Sequence, residues 1–434
     1  MPTMRQFRDP ELSLWMSAVD QYLAGSQAGG QLLTADSPQV LARPDVSNPM
    51  LADATEFCAS QEQNLPFPQT TPEGEPRLLG IGDTVTRCSS IAWDLIKAKI
   101  TGNQEKIKEY EQLLSPFGSC DPGYAECVKQ YLKFFELRNG KIPYRTNQYP
   151  DRYVIDNILP DNATVALVGD WGTGQQAARR VLEQVARKNP HVVIHLGDIY
   201  YSGTDFEVDH YFHALWTSIL DLSRTRTYTL SGNHDMYCGG GPFYRLIDQL
   251  GQPASYFNLR NAKWQLLALD TGFNDHNPAH SEFTRLQDSE VSWVEHQIAS
   301  ADGRRSILLS HHQLFSAKED ICGQAVNTAL EGQLASLFSG VTRWFWAHEH
   351  DMVIYKPWSG VTARCVGCGA FPVGADEIAA TPKHPQIPME NVKLPLAGAL
   401  YENGYAILRF AGDAATAEYY QTGNENAPLW QESF

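Results

Sequence analysis

At 434 residues with 43% hydrophobic content, the chain exceeds one ordinary domain and can bury a substantial core, which excludes a disordered or fibrous protein. Its formal net charge of -16 argues against a broad nucleic-acid or anionic-membrane footprint, so neither partner is expected; a small phosphorylated substrate stays open, because bound cations can dominate a local field. The opening Met1-Pro2-Thr3-Met4-Arg5-Gln6-Phe7 has no signal-like apolar core, no run is long enough to span a bilayer, and the 8 cysteines form no disulfide framework, so a cytoplasmic protein is expected.

Residues 1–150 read as a helical and irregular N-terminal extension. Asp9-Pro10 opens a helical stripe through Leu12, Trp15, Val19, Tyr22 and Leu23, and 26–76 is rich in Gly, Pro, Ser and Gln. Ile107, Tyr110 and Leu114 share a helix face, and a further helix over 124–137 stops at Asn139-Gly140. The extension holds no constellation of catalytic residue types, and it could recruit a protein partner.

Residues 151–434 read as one larger domain in which strands alternate with helices, an α/β pattern. The predicted strands are 163–168, 192–196, 227–231, 264–269, 306–310 and 343–347, with a closing hairpin over 405–410 and 417–420. Ala178, Val181, Leu182 and Val185 mark one amphipathic helix, and Val291, Val294 and Ile298 another. A proline-punctuated loop over 371–396 could wall a cleft.

Polar clusters hang off the ends of five of these strands. They are Gly169-Asp170-Trp171-Gly172, Gly197-Asp198-Ile199-Tyr200-Tyr201, Gly232-Asn233-His234-Asp235, Ser310-His311-His312 and Ala347-His348-Glu349-His350-Asp351. Strand ends gather functional groups on one rim, and the glycines let backbone approach a ligand. Together the clusters offer carboxylates, an amide oxygen, a phenol and several imidazoles, enough donors for two metal ions in one cleft. Singly each has a plainer explanation: Asp170 or Asp198 could cap a turn, and His311-His312 could be one buried and one exposed ring. Gly169 to Gly174 departs from the spacing of a dinucleotide loop, and the lone Cys365-Val366-Gly367-Cys368 pair reads as ordinary thiols. His195 reads as a core residue and Tyr200 as packing; His191, His210, His213, His276, His280, His296 and His384 read as surface or supporting groups.

Taken in order, the five clusters closely resemble the calcineurin-like metallophosphoesterase superfamily, and within it the purple acid phosphatase branch, from about Ala163 to Phe410. The resemblance implies an αββα sandwich of two packed mixed β-sheets flanked by helices, and a phosphoric ester hydrolase attacking through metal-bound hydroxide. One departure points to the branch. Gly172 stands where most of the superfamily has a metal-binding histidine, and Tyr201 follows Asp198 by three residues, as in the branch's G-D-x-x-Y motif. By the resemblance, the first metal, Fe(III), falls to Asp170, Asp198, Tyr201 and His350. The second, divalent Zn, Fe or Mn, falls to Asp198, Asn233, His311 and His348, with Asp198 bridging. A phenolate is a hard anionic donor suited to trivalent iron, while imidazoles and an amide suit a divalent ion.

His234 is the implied catalytic residue, touching the phosphoryl group and protonating the leaving oxygen. A second substrate-facing histidine common in the branch is missing from Ser316-Ala317-Lys318-Glu319-Asp320, so His312, Glu319 and Asp320 stand as candidate substrate contacts. A phosphomonoesterase is the expected activity, with a phosphodiesterase on the same metals as one alternative. An interaction or effector protein with an auxiliary hydrolase site is another.

Overall fold

In the strand β2, Thr164–Val168, every residue is buried, and alternate side chains serve two different cores. Val165 and Leu167 face one layer, Ala166 and Val168 the other. The same division recurs on β7 (Arg305–Leu309), where Ile307 and Leu309 join Val165 while Leu308 points the opposite way. Two sheets, each covered on both faces, therefore stack on each other.

The structure, a computed structural model, describes residues 103–113, 130–136, 138–147, 149–156, 158–277, 283–375, 382–398 and 400–434. The chain divides into two compact units, Met1–Glu126 and Cys127–Phe434. In the first, the described element is the helix Gln104–Leu113, which contains the predicted Ile107 and Tyr110. The stripe from Leu12 to Leu23 lies outside the described residues.

In the second unit, one sheet has seven strands in the order β1 (Val154–Asp156), β5 (Phe257–Arg260), β6 (Trp264–Ala268), β7, β8 (Val341–Trp346), β10 (Ala363–Val366) and β9 (Met352–Ile354). The other has six, β15 (Trp430–Ser433), β14 (Ala414–Gln421), β13 (Gly404–Ala411), β2, β3 (Val192–His195) and β4 (Arg226–Thr229). Both are mixed: β2, β3 and β4 run parallel, whereas β13 pairs antiparallel with both β2 and β14. The helices Asp288–Ala299 and Thr328–Leu334 bury Trp293, Val294, Leu330 and Leu334 against the outer face of the seven-stranded sheet. Gln176–Arg187 buries the predicted Ala178, Val181, Leu182 and Val185 against the six-stranded one, beside a helical run ending in Ala214–Ile219. The αββα sandwich with mixed sheets is as expected. Among the described residues no helix is long and apolar enough to cross a membrane.

Residues just before β1 pack into this unit. Leu132–Glu136 forms a π-helical turn, and Asn139, at φ 48°, ends it at the predicted stop. Ile142 joins Met236, Phe243, Tyr244 and Ile247. The Tyr144 hydroxyl donates to Glu290 Oε2 at 3.0 Å, its ring against Tyr256 and Phe273.

Candidate metal centre

Each parallel strand hands its chain to a tight loop at the same edge of the sandwich. Asp170, Asp198 and Asn233 leave the six-stranded sheet after β2, β3 and β4; His311, His348 and His350 leave the seven-stranded sheet after β7 and β8. Backbone bonds stitch the loops together: Asp170 N–H donates to Gly197 O at 3.1 Å, Gly169 N–H to Val366 O at 3.1 Å, and Ala347 N–H to His311 O at 2.9 Å. The close approach requires glycine. Gly197 sits at φ 105°, and a Cβ there would meet His311 Nδ1 at 2.7 Å; a Cβ on Gly232 would run into Asp198 Oδ1. Asp170, Asp198, His348 and His350 adopt φ of 52°, 76°, 66° and 47°, a left-handed backbone that costs on the order of 1–3 kcal/mol each in non-glycine residues. Such strain concentrated in one cleft marks a site whose geometry matters more than local stability.

The first group of donors centres on Asp170, which is fully buried. Its Oδ2 accepts from His348 N–H at 2.8 Å. Its Oδ1 accepts from the Tyr200 hydroxyl at 2.6 Å and lies 3.3 Å from His350 Nε2, itself 2.9 Å from the Tyr200 oxygen. Donor atoms of Asp170, Asp198 and His350 all fall within 4.8 Å of one another. The Tyr200 hydroxyl, which the sequence assigns to packing, lies against this group. Tyr201 is buried beside it; its N–H donates to Glu207 and its carbonyl accepts from His234 Nδ1.

The second group centres on His311. Its Nδ1–H donates to Leu196 O at 2.9 Å, which turns the Nε2 lone pair into the cleft. Around Nε2 stand Asn233 Oδ1 at 3.2 Å, His348 Nδ1 at 3.2 Å and Asp198 Oδ2 at 3.3 Å. The Asn233 orientation is fixed by its Nδ2 donating to the Tyr237 oxygen at 2.6 Å. Asp198 Oδ2 is buried with no hydrogen-bond partner. Lone pairs thus point at lone pairs, an arrangement that needs either an extra proton or a cation. Burial disfavours a charged ring, yet the Asp198 carboxylate outweighs it and carries the His311 imidazole up to about 9. Oxygen donors around Asp170 and imidazole with amide around His311 fit two cations, with Asp198 facing both groups.

Two carboxylates hold the loops rather than face the cleft. Asp235 Oδ2 accepts from Gly232 N–H at 2.7 Å and Asp198 N–H at 2.9 Å, tying the β3 and β4 loops. Buried Glu207 accepts from the backbone N–H groups of Tyr201, Ser202 and Thr204. Nothing in the sequence marks Glu207 beyond its place in a capping box with Thr204.

His234 stands at the rim of both groups. Its backbone N–H donates to Asp198 Oδ1 at 3.0 Å, and its Nδ1–H to Tyr201 O at 2.5 Å, leaving Nε2 as the atom that can carry a further proton. His312 is buried behind the second group: Nδ1 meets Thr271 Oγ1 at 2.9 Å, Nε2 meets Asp275 Oδ2 at 2.8 Å, and its ring lies 4.5 Å from that of His348. Burial and the nearby Glu349 carboxylate push Glu319 up to about 8. Asp320 is exposed and pairs with Lys383 at 3.1 Å and His384 at 2.9 Å, so it anchors the proline-punctuated loop. His195 is core, its Nδ1 against Thr229 Oγ1 and its ring among Trp171, Phe212 and Trp216. Cys365 and Cys368 are buried thiols.

Parts of the chain are similar to known proteins. Residues 163–352 match the family described as calcineurin-like phosphoesterase. Human tartrate-resistant acid phosphatase type 5 is 25% identical over 251 residues, covering 49% of this chain and 76% of that protein. The pig protein of the same name is 22% identical over 237 residues, covering 47% and 68%. Among solved structures, a dimetal phosphatase from Danio rerio aligns with a TM-score of 0.43 at 13% identity, over 60% of this chain and 96% of that one.

Proposed function

We propose that the chain is a phosphomonoesterase with a dinuclear centre: through residues 163–352 it belongs to the calcineurin-like metallophosphoesterases, in the purple acid phosphatase-like branch, and it is a metal-dependent phosphoric ester hydrolase. The observation that carries the dinuclear reading is the position of Asp198, whose carboxylate belongs to the Asp170–His350 group and also lies 3.3 Å from His311 Nε2. Asp170, Asp198, His350 and a neighbouring phenol would hold the first cation, and Asp198, Asn233, His311 and His348 the second. Fe(III) suits the first, anionic set, and divalent Zn, Fe or Mn the second. When bound, the pair supplies Lewis acidity to the phosphoryl group and activates water.

The chain's own residues supply the rest. His234, with Nδ1–H committed to Tyr201 O, presents Nε2 to protonate the leaving oxygen. The Asp235 bonds to Gly232 and Asp198 keep His234 and Asp198 in register. Burial of Asp170, Asp198 and His311 limits water to the cleft side.

The test is hydrolysis of matched nitrophenyl phosphate mono- and diesters across pH by the metal-loaded protein. Faster turnover of the monoester is expected. Preference for the diester would overturn the phosphomonoesterase assignment while keeping the metal-dependent hydrolase.

A further inference from the structure

His234 opens a short helical turn, His234–Met236, after which the chain bends back through Gly239 and Gly240 at φ 93° and 69°. Met236 N–H donates to Asn233 O at 3.0 Å and Gly239 N–H to Met236 O at 2.8 Å, which closes 233–239 into one bonded loop. Tyr237 links that loop to the cleft. Its oxygen accepts from Asn233 Nδ2 at 2.6 Å, and its ring lies 4.8 Å from that of His234.

The other side of the loop meets the stretches 131–136 and 138–144, which precede β1. A Cβ on Gly239 would run into the Phe134 ring, and a Cβ on Gly140 would meet the same ring at 2.5 Å, so the ring is wedged between two glycines with no room for a methyl group on either. Gly140 N–H closes this turn on Phe134 O at 2.9 Å. Ile142 packs with Met236, and a Cβ on Gly240 would lie 3.2 Å from the Ile142 Cγ2. Neighbouring side chains grip a second loop, 270–276. Phe135 stacks on His276 at 4.6 Å, and Tyr144 lies against Phe273 at 4.6 Å while its hydroxyl bonds Glu290, which accepts from Asp270 N–H at 2.8 Å.

We propose that these stretches form a strap that positions the proton donor: Phe134 and Ile142 hold the 236–240 bend in place, and Tyr237 passes that constraint to the His234 ring. This rests on the reading of His234 as the group that protonates the leaving oxygen.

The short turn explains why a strap is needed. Asp170, His311 and His348 follow directly from sheet strands, whereas His234 stands four residues beyond β4 on a turn with no ladder of its own. The position of Nε2 is therefore set by what packs on that turn, and a displacement of about 1 Å can cost on the order of 100-fold in rate. Phe134 and Ile142 act through Tyr237, so both are positioning residues.

The experiment uses the full-length, metal-loaded protein and compares nitrophenyl with phenyl phosphate, whose more basic leaving group depends more on protonation. Phe134→Ala and Ile142→Ala are expected to lower kcat on the phenyl ester roughly tenfold more than on the nitrophenyl ester, with metal content unchanged. Leu330→Ala, in the core on the outer face of the seven-stranded sheet, reports general destabilisation and should leave the ratio of the two rates at the parent value. Phe134→Leu keeps most of the wedge and should give an intermediate ratio, which preserves the test if Phe134→Ala does not fold. A parent-like ratio in the folded strap variants, or the same change in Leu330→Ala, overturns the inference. His234→Ala separates that failure from one of the underlying reading, because it should shift the ratio further than either strap variant. If it does not shift the ratio at all, the proton-donor reading falls and the strap with it. The same two leaving groups are compared on the diesters, so a parent that prefers diesters loses the phosphomonoesterase assignment and still tests the strap.

Discussion

The backbone N–H of His234 donates to Asp198 Oδ1 at 3.0 Å, so the residue that presents a proton to the cleft also supports the shared carboxylate through its main chain. The two contributions are separable because the second needs no side chain. His234→Ala should lower turnover by about 10²–10⁴-fold while leaving metal content near that of the parent, as measured by steady-state kinetics and elemental analysis. Parallel loss of metal and rate would show that the ring itself holds a cation.

Gly232→Ala tests the opposite side of the same carboxylate. The added methyl group runs into Asp198 Oδ1, with little free volume to absorb it. We expect destabilisation of about 1–3 kcal/mol from overpacking and loss of both cations, read by thermal melting and elemental analysis. Normal metal content in this variant would mean that the β4 loop can shift without moving Asp198.

His311→Ala removes the ring around which Asn233, His348 and Asp198 converge. Affinity for the second cation should fall by on the order of 100-fold or more, with the first site still filled at high metal concentration. Isothermal titration with zinc would resolve the two affinities. Retention of two tight sites contradicts the assignment.

A pH effect is expected away from the cleft. Burial, and then the Asp270 carboxylate, push Glu290 well above its ordinary 4.5. A carboxyl raised on folding favours the folded state below the unfolded value, and that contribution is lost as pH rises through the folded one. Stability of the metal-free protein should therefore decline as pH rises above about 4.5 towards the elevated Glu290 value, and Glu290→Gln should flatten that decline. Denaturant titrations at a series of pH values would show it; equal slopes for parent and variant would refute it.

Truncation distinguishes the two units. Removal of 1–126 leaves Cys127–Phe434 entire and serves as the reference. Removal of 1–145 also deletes Ile142 and Tyr144, leaving Glu290 Oε2 without its donor, at about 1–3 kcal/mol for the lost buried partner alone. Equal melting of the two truncations would show that 127–145 contributes nothing to the fold.

Much of the fold was legible because β2, β3, β7 and β8 are apolar runs leading into glycine, serine or alanine and a polar cluster. The donors were legible for the same reason: their loops are short and directly attached to those strands. What escaped notice was short or depended on the third dimension. Val154–Asp156, Phe257–Arg260 and Met352–Ile354 span three or four residues, too few to show a period. The bonds that hold the loop after β3, from Tyr201 N–H to Glu207 and from His234 Nδ1 to the Tyr201 carbonyl, were hidden because Glu207 lies on a helical turn with no motif of its own. Asp320 sat in the right segment for a substrate contact, yet its pairing with Lys383 and His384 is a contact across 63 and 64 residues that no local pattern announces.

Each group of donors draws on both layers of the sandwich, Asp170 and Asp198 with His350 in one, Asn233 and Asp198 with His311 and His348 in the other. A cation bound to either group would therefore act as a rivet between the sheets as well as a reagent. Filling the sites should slow amide hydrogen exchange along β2, β3, β7 and β8 together, including residues far from the cleft, because separating the layers would then require releasing the ion. Metal supply would set how long the sandwich stays closed, and the apoprotein would be the form most open to proteolysis.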